Sequence, residues 1–265
     1  MRRPRKKLAY LLICILIISL LAACERSHKV PKDKDAVNKK TPDPEVKEIN
    51  VMEEYDKLLE IENNRGDIAL FLNQYIGDQT KKDASQMIIE LEEYLDRNNY
   101  NIYESYILLN RYKKYVSLEI RSYLNILFTE GTRTYTDEDK LNISLEEALE
   151  RAKTAEDHLI IFPNGTTRPK VLELYKKYLS ILIVEEDGEN ILTNKDTTIL
   201  KEDVINLYRD EINEVETKGI SNIFNDYLRL LEKNGLDTRS KEAISFQENL
   251  DTIIEEQFQT IEEGA

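Results

Sequence analysis

The sequence predicts an all-α protein, a multi-helix bundle of about eight helices that could be divided into two helical halves. From Glu45 onward, apolar residues recur every three or four positions, which is the period of an amphipathic helix. Only eight glycines and six prolines occur in 265 residues, too few for the many turns of an all-β fold. Most periodic segments are separated by short stretches, as in bundles of antiparallel helices.

Local signals place four helices in the first part of the chain. Asp43 precedes a proline, which suits an N-cap followed by the first helical position. Residues 63–66, Asn-Asn-Arg-Gly, then interrupt the apolar pattern. Asn101 and Glu104 have the spacing of a capping box, in which each side chain accepts a hydrogen bond from the backbone near the other. The predicted helices cover residues 45–62, 68–76, 83–97 and 101–128.

A polar segment over residues 129–142 separates these helices from a second group, and a boundary between two halves is expected there. Ser144 and Glu147 repeat the capping-box spacing directly after this segment. Further on, one helix ends near Glu186 or gives way to a small hairpin over residues 181–192, and the helix is favoured. The predicted helices of this group cover residues 144–162, 169–186, 201–217, 220–233 and 240–262.

Residues 1–23 are organised like a secretory signal peptide. Five basic side chains lie within the first seven residues, and an apolar stretch of sixteen residues follows over positions 8–23. As a helix this stretch would span about 24 Å, which is short of the roughly 30 Å core of a bilayer. It ends in Leu21-Ala22-Ala23-Cys24, which resembles the lipobox of bacterial lipoproteins at every position.

The resemblance implies a lipid anchor at Cys24. In that family the cysteine is thioether-linked to diacylglycerol, the signal is cleaved before it, and the new amino group can carry a fatty acyl chain such as palmitate. It implies a mature chain anchored to the bilayer on the extracytoplasmic face of the cell membrane. The alternative is an uncleaved anchor with an incidental cysteine. If Cys14 leaves with the signal, the mature chain has neither a free thiol nor a disulfide.

Composition predicts a disordered tether over residues 24–47 and an acidic all-α domain over residues 48–265. Positions 25–47 hold seven basic and five acidic side chains, three prolines and no aromatic residue, so they cannot form a core. The whole chain has a net charge of −14; without the five basic leader residues and the tether's net +2, the domain carries −21. Nucleic acid is therefore excluded as a partner, because phosphate binding needs the opposite charge.

No catalytic, metal-binding or cofactor-binding residue is assigned from the sequence. His158 is the one histidine of the domain, and near the end of a helix its cation would complement the helix dipole. The chain contains no G-x-S-x-G, S-x-x-K or H-E-x-x-H motif. The segment from Asp137 begins like a calcium loop, but Asn142 and Ala148 replace the turn glycine and the bidentate glutamate, so a solvated turn is favoured.

The tyrosines of the domain have two possible roles. Their rings could line a groove for a sugar or a peptide, or fill the core with their hydroxyls at its edge, and the core role is favoured. The tyrosines concerned are Tyr100, Tyr103, Tyr106, Tyr112, Tyr115, Tyr123, Tyr175 and Tyr178.

We expect a membrane-anchored lipoprotein of the cell envelope that binds or scaffolds a protein or glycan and is not an enzyme. One alternative is a glycan hydrolase that uses a pair of carboxylates, which the many acidic residues allow. The other is a solute-binding receptor, although such receptors usually have α/β lobes and this pattern shows no strand–helix alternation.

The lipid anchor is tested by replacing each cysteine in turn. The wild-type protein extracted from membranes should begin at Cys24 and carry the mass of a diacylglyceryl group. Cys24→Ser should release the protein or leave it unprocessed, whereas the control Cys14→Ser should be processed normally, because only Cys24 stands at the lipobox. An unmodified Met1 terminus on wild-type protein in membranes would contradict the assignment.

Overall fold

The computed structural model describes residues 49–137, 140–184, 191–192, 198–213 and 219–264. Within these ranges the chain is mostly helical, which confirms the all-α class. The predicted signal peptide, Cys24 and the tether lie outside the described residues. No helix in the described ranges is both long enough and apolar enough to cross a lipid bilayer.

Eleven α-helices occur in the described residues, instead of the predicted number of about eight. They are α1 (Val51–Leu59), α2 (Arg65–Tyr75), α3 (Lys81–Arg97), α4 (Ile102–Leu109), α5 (Leu118–Thr132), α6 (Leu145–Ile161), α7 (Arg168–Ile183), α8 (Glu202–Ile212), α9 (Gly219–Lys233), α10 (Lys241–Glu248) and α11 (Leu250–Gly264). Two 3₁₀ turns (Ile76–Asp78 and Asn110–Tyr112) and a hairpin of two-residue strands, β1 (Thr136–Asp137) and β2 (Lys140–Leu141), complete them.

The nine predicted helical segments, 45–62 to 240–262, correspond to eleven helices because two of them are each divided. The helix predicted over residues 101–128 is α4 and α5, since Ser117 adopts an extended conformation and its side chain accepts a hydrogen bond from the Ile120 amide. The last predicted helix is divided at Asn249, whose side-chain amide donates to the Ser245 carbonyl at 2.7 Å. The apolar period continues through both divisions, so the pattern alone does not reveal them.

The predicted helix starts at Asn101 and Ser144 are confirmed. The Asn101 side chain accepts from the amides of Tyr103 and Glu104 at 3.1 and 3.0 Å, and Ser144 accepts from the Glu147 amide at 3.2 Å. Each contact satisfies an amide that the first helical turn leaves without a partner.

Two other predicted boundaries are different in the structure or only partly described. The first described helix begins after Asn50 and not at residue 45, because the Asn50 side chain caps the Glu53 amide; the predicted cap at Asp43 lies outside the described residues. α7 continues to Ile183, as the favoured alternative required, and residues 185–190 are not described.

Large tyrosine side chains fill much of the core. The fully buried ones are Tyr55, Tyr94, Tyr123, Tyr175, Tyr178, Tyr208 and Tyr227. Their hydroxyls bond inside the protein: Tyr55 donates to the Met87 carbonyl at 2.7 Å and Tyr178 to the Glu130 carboxylate at 2.6 Å. A buried hydroxyl without such a partner would be destabilising, so these contacts allow tyrosine to occupy core positions.

A buried charged network joins α5, α6 and α7. Arg151 on α6 forms an ion pair with Glu130 on α5, and both side chains are almost completely buried. Arg151 also donates to Glu147 at 2.6 Å and to the backbone carbonyl of Arg133 at 2.7 Å. Tyr178 on α7 donates to the same Glu130 carboxylate at 2.6 Å. We call these contacts the Arg151 network.

The Arg151 network extends across the polar segment that separates the two predicted halves. Arg133, at the start of that segment, contacts the Glu147 carboxylate at 2.7 Å and the Asn142 carbonyl at 2.9 Å. By their contacts, residues 49–265 form one compact unit. The division into two helical halves at residues 129–142 stays a prediction.

Arg151→Met should destabilise the fold by about 3–5 kcal/mol, because it leaves the Glu130 carboxylate buried without its cation. The double variant Arg151→Met with Glu130→Gln should recover much of this loss, since no charge then remains buried. The free energy of unfolding is measured by urea denaturation followed by circular dichroism. The control Arg209→Met, which removes an exposed ion pair with Glu232, should cost less than about 1 kcal/mol. Equal losses in Arg151→Met and Arg209→Met would contradict the importance of the network.

Candidate functional site

A cleft of about 430 Å³ opens between α3, α4, α5 and α7. Its floor is formed by buried and half-buried side chains, mostly apolar or aromatic. Its rim is formed mostly by exposed charged side chains, together with the half-buried Glu92 and the exposed, apolar Ile102. The floor residues are Leu95, Tyr100, Ser105, Tyr106, Tyr123, Leu127 and Leu174, and the rim residues are Glu92, Glu93, Asp96, Ile102, Lys170, Glu173 and Lys177. We call this site the tyrosine cleft.

One carboxylate connects three walls of the tyrosine cleft. Glu92 on α3 accepts a hydrogen bond from the Tyr123 hydroxyl on α5 at 2.5 Å, and its other oxygen lies 3.0 Å from Nζ of Lys170 on α7. Burial, together with the nearby Glu92 charge, raises the pKa of the Tyr123 phenol well above its ordinary value. The phenol therefore stays protonated and remains a donor, so the spacing of the three helices at the cleft is determined by polar contacts as well as by packing.

Two further tyrosines supply aromatic surface to the tyrosine cleft. Tyr106 is half-buried, and its pKa is raised by burial and then by the charges of Glu92 and Glu130. Tyr100 is also half-buried, and the Arg65 guanidinium lies 4.8 Å from the centre of its ring. Both rings are therefore partly exposed at the cleft.

The tyrosines occur in two environments, the core and the lining of the cleft. Tyr112, Tyr175 and Tyr178 are buried in the core, as the favoured interpretation required. Tyr100 and Tyr106 are half-buried, pack against the core and also line the cleft; their use in binding a sugar or a peptide stays a prediction. Periodicity alone could not separate the two groups, because all of these residues occur within apolar helical patterns.

The charged groups of the rim are divided between two helices. α3 contributes Glu93 and Asp96, which are exposed carboxylates one turn apart. α7 contributes Lys170 and Lys177, two turns apart, and their side chains are 44% and 47% exposed. The sequence analysis did not identify these residues, because nothing in the local pattern shows that α3 and α7 face each other.

The surroundings of His158 favour a neutral imidazole over the cation that was predicted at this helix end. His158 does lie in the last turn of α6, but it is only 1% exposed. Its Nδ1 lies 3.0 Å from the Ser122 hydroxyl and its Nε2 lies 3.0 Å from the Thr167 hydroxyl. Burial lowers the pKa of the imidazole, although the nearby Glu119 charge opposes this in part.

The hydrogen bonds around His158 define which nitrogen carries the proton. The Thr167 hydroxyl donates to Glu119 at 2.9 Å, so toward the histidine it is an acceptor and Nε2 is the donor. Nδ1 then accepts from Ser122. The neutral imidazole thus joins α5, α6 and the start of α7, which is a structural role.

The other deeply buried carboxylates also have structural partners. Glu156 accepts from the Tyr175 hydroxyl at 3.0 Å and from the Ile220 amide at 2.9 Å. Glu211 forms an ion pair of 2.9 Å with Lys153. Because these carboxylates are engaged with α7, α9 and α6, the geometry offers no argument for using them as an acid–base pair.

The described part of the calcium-like segment includes Asp137 of strand β1, which pairs with β2. The Asn142 amide donates to the Tyr135 carbonyl at 2.8 Å, and Ala148 is buried in α6. Residues 138–139 and the acidic stretch 185–189 lie outside the described residues. Within the described part of the chain, no group of three or more His, Cys, Asp or Glu side chains is arranged to hold a metal ion.

Comparisons with known proteins do not indicate a ligand for the tyrosine cleft. No family model matches the chain, and no curated protein or solved structure matches it either. We therefore infer the function from the residues of the cleft and from the N-terminal sequence.

The stability contributed by His158 should depend on pH. Because the folded-state pKa is lowered, the folded protein binds a proton less readily than the unfolded chain, whose histidine titrates near 6.5. The contribution is thus complete above pH 6.5 and is lost as the pH falls below it. Urea denaturation at several pH values should show that the advantage of wild type over His158→Gln decreases on acidification. The control His28→Gln, in the predicted tether, should match wild type; a constant advantage of wild type over His158→Gln would contradict the neutral, buried state.

Proposed function

We propose that this protein is a membrane-anchored lipoprotein of the cell envelope that binds an extracytoplasmic ligand in the tyrosine cleft. The anchor is proposed from the lipobox resemblance at Cys24, and the binding site from the cleft between α3 and α7. The observation that carries the binding function is the partly exposed aromatic floor surrounded by charged groups.

The dimensions and the lining of the tyrosine cleft support binding of a small ligand. Its volume of about 430 Å³ lies within the range of roughly 300–1,000 Å³ that is common for ligand sites. Tyr100 and Tyr106 offer ring surface with a polar end, which suits a site in contact with water. The charged rim can orient a ligand, as the few polar groups of a binding site usually do.

Binding is favoured over hydrolysis because the most buried carboxylate of the tyrosine cleft already contacts other side chains of the protein. This carboxylate is Glu92, and it is held by Tyr123 and Lys170. A general acid needs a carboxyl that is kept protonated near neutral pH, usually by burial away from cations. Glu92 instead lies 3.0 Å from the Lys170 ammonium and accepts from the Tyr123 hydroxyl, so this arrangement suits a positioning role.

The proposed tether would hold the domain at a distance from the membrane surface. At the polyproline rise of ~3.1 Å per residue, residues 25–47 would reach at most about 70 Å. Repulsion between a domain of charge −21 and anionic lipids extends only about 8 Å at physiological salt. In this proposal the tether is long enough to hold the acidic body beyond the range of this repulsion.

Site-specific photo-crosslinking in cells tests the proposed binding site. Replacing Leu174 by the photo-reactive residue benzoylphenylalanine places the probe in the cleft; the matched control replaces Leu70, which is 68% exposed on α2. Illumination should give a defined adduct at position 174 that is absent at position 70, because only the first probe touches the bound ligand. Intact mass spectrometry measures the adduct. Identical adducts at both positions, or none at position 174, would contradict a binding function for this cleft.

A further inference from the structure

The two long walls of the tyrosine cleft carry opposite charges that are available to a ligand. On α3, the side chains of Glu93 and Asp96 are exposed, and neither forms an ion pair or a side-chain hydrogen bond with another described residue. On α7, Lys177 has only an exposed contact of 3.5 Å with Glu173, four residues earlier on the same helix. Exposed pairs of this kind are weak, so a ligand can replace that contact.

The remaining charges at the cleft neutralise each other. Lys170 contacts Glu92 at 3.0 Å, and Glu92 is only 13% exposed. This pair closes one part of the cleft between α3 and α7. It leaves the Glu93 and Asp96 carboxylates on the α3 wall and the Lys177 ammonium on the α7 wall, where the exposed Glu173 carboxylate lies beside it. Tyr106 and Leu174 are among the floor residues.

We propose that the tyrosine cleft binds a short zwitterionic peptide, an inference that rests on the proposed function. The peptide ammonium lies against Glu93 and Asp96, and its carboxylate lies against Lys177. An apolar side chain of the peptide covers the floor formed by Tyr106 and Leu174.

Charge complementarity favours this ligand over other classes. A neutral glycan can hydrogen-bond to Asp96 and Lys177 through its hydroxyl groups, but it offers neither residue a group of opposite charge. An anionic ligand would meet the two carboxylates of the α3 wall and the field of a domain of charge −21. A purely cationic ligand would be repelled by the Lys177 ammonium on the α7 wall. A zwitterion satisfies both walls and has no net charge for the domain to repel.

Isothermal titration calorimetry on the full chain in detergent micelles tests the ligand class. The probes are the tripeptide Ala-Leu-Ala, its N-acetylated form, its C-amidated form, and the neutral trimer of N-acetylglucosamine. The unmodified tripeptide should bind most tightly. Blocking either end should weaken binding by about fivefold, the effect expected for one partly exposed charge contact.

Two substitutions assign each end of the peptide to its wall. Lys177→Gln should weaken binding of the free and N-acetylated peptides, which have a carboxylate, without weakening the amidated one. Asp96→Asn should weaken binding of the free and amidated peptides, which have an ammonium group, without weakening the acetylated one. The controls Lys57→Gln on α1 and Glu232→Gln on α9 should leave every affinity unchanged, since neither residue lines the cleft.

The outcomes separate failure of this inference from failure of the proposed function. Equal affinities for the three peptides, or no binding of any of them, overturn the zwitterionic ligand. Tighter binding of the sugar trimer that is lost in Tyr106→Ala also overturns it, while the cleft remains a binding site. The proposed function itself is decided independently by the adduct at position 174.

Discussion

The buried ion pair between Glu130 and Arg151 is the constraint on which the arrangement of the central helices depends. Two charges removed from water are tolerated when they are paired and further hydrogen bonds satisfy most of their remaining donors and acceptors. Glu130 is therefore bonded by Tyr178 as well as by Arg151, and Arg151 by Glu147 and a backbone carbonyl. Hydrogen bonds and ion pairs require particular distances and angles, so these contacts restrict α5, α6 and α7 to one relative placement. Apolar packing alone would define that placement less strictly.

The tyrosine cleft depends on that placement. α5 carries both Glu130 and Tyr123, and α7 carries both Tyr178 and Lys170, so fixing one end of these helices also positions the residues that meet Glu92. The neutral His158 adds a further connection between α5 and the start of α7 through Ser122 and Thr167. The cleft is thus open to solvent on its rim and supported beneath by bonded polar groups, which suits a preformed site.

The sequence predicted the helical class and several helix starts, because these depend on residues that are close together in the chain. The features that it did not predict depend on packing between helices. Asn101 and Ser144 were identified as caps because a cap is a contact between residues two or three positions apart. The divisions at Ser117 and Asn249 were missed, because the apolar period continues across both and the choice between one helix and two depends on neighbouring helices. His158 was placed correctly in the last turn, but its burial was not predicted. Burial depends on which other parts of the chain pack against the helix.

What the sequence by itself determined is local: the class of fold, the capped helix starts and the N-terminal pattern that ends at Cys24. These follow from the spacing of residue types along a few turns of chain. The tertiary structure alone decided which tyrosines are core and which line a cleft, and which carboxylates meet a cation. The contacts that decide these points join residues far apart in sequence, 31 positions for Tyr123 with Glu92 and 48 for Tyr178 with Glu130. Such contacts exist only after the helices pack, because each helix offers several faces that are compatible with the same apolar period.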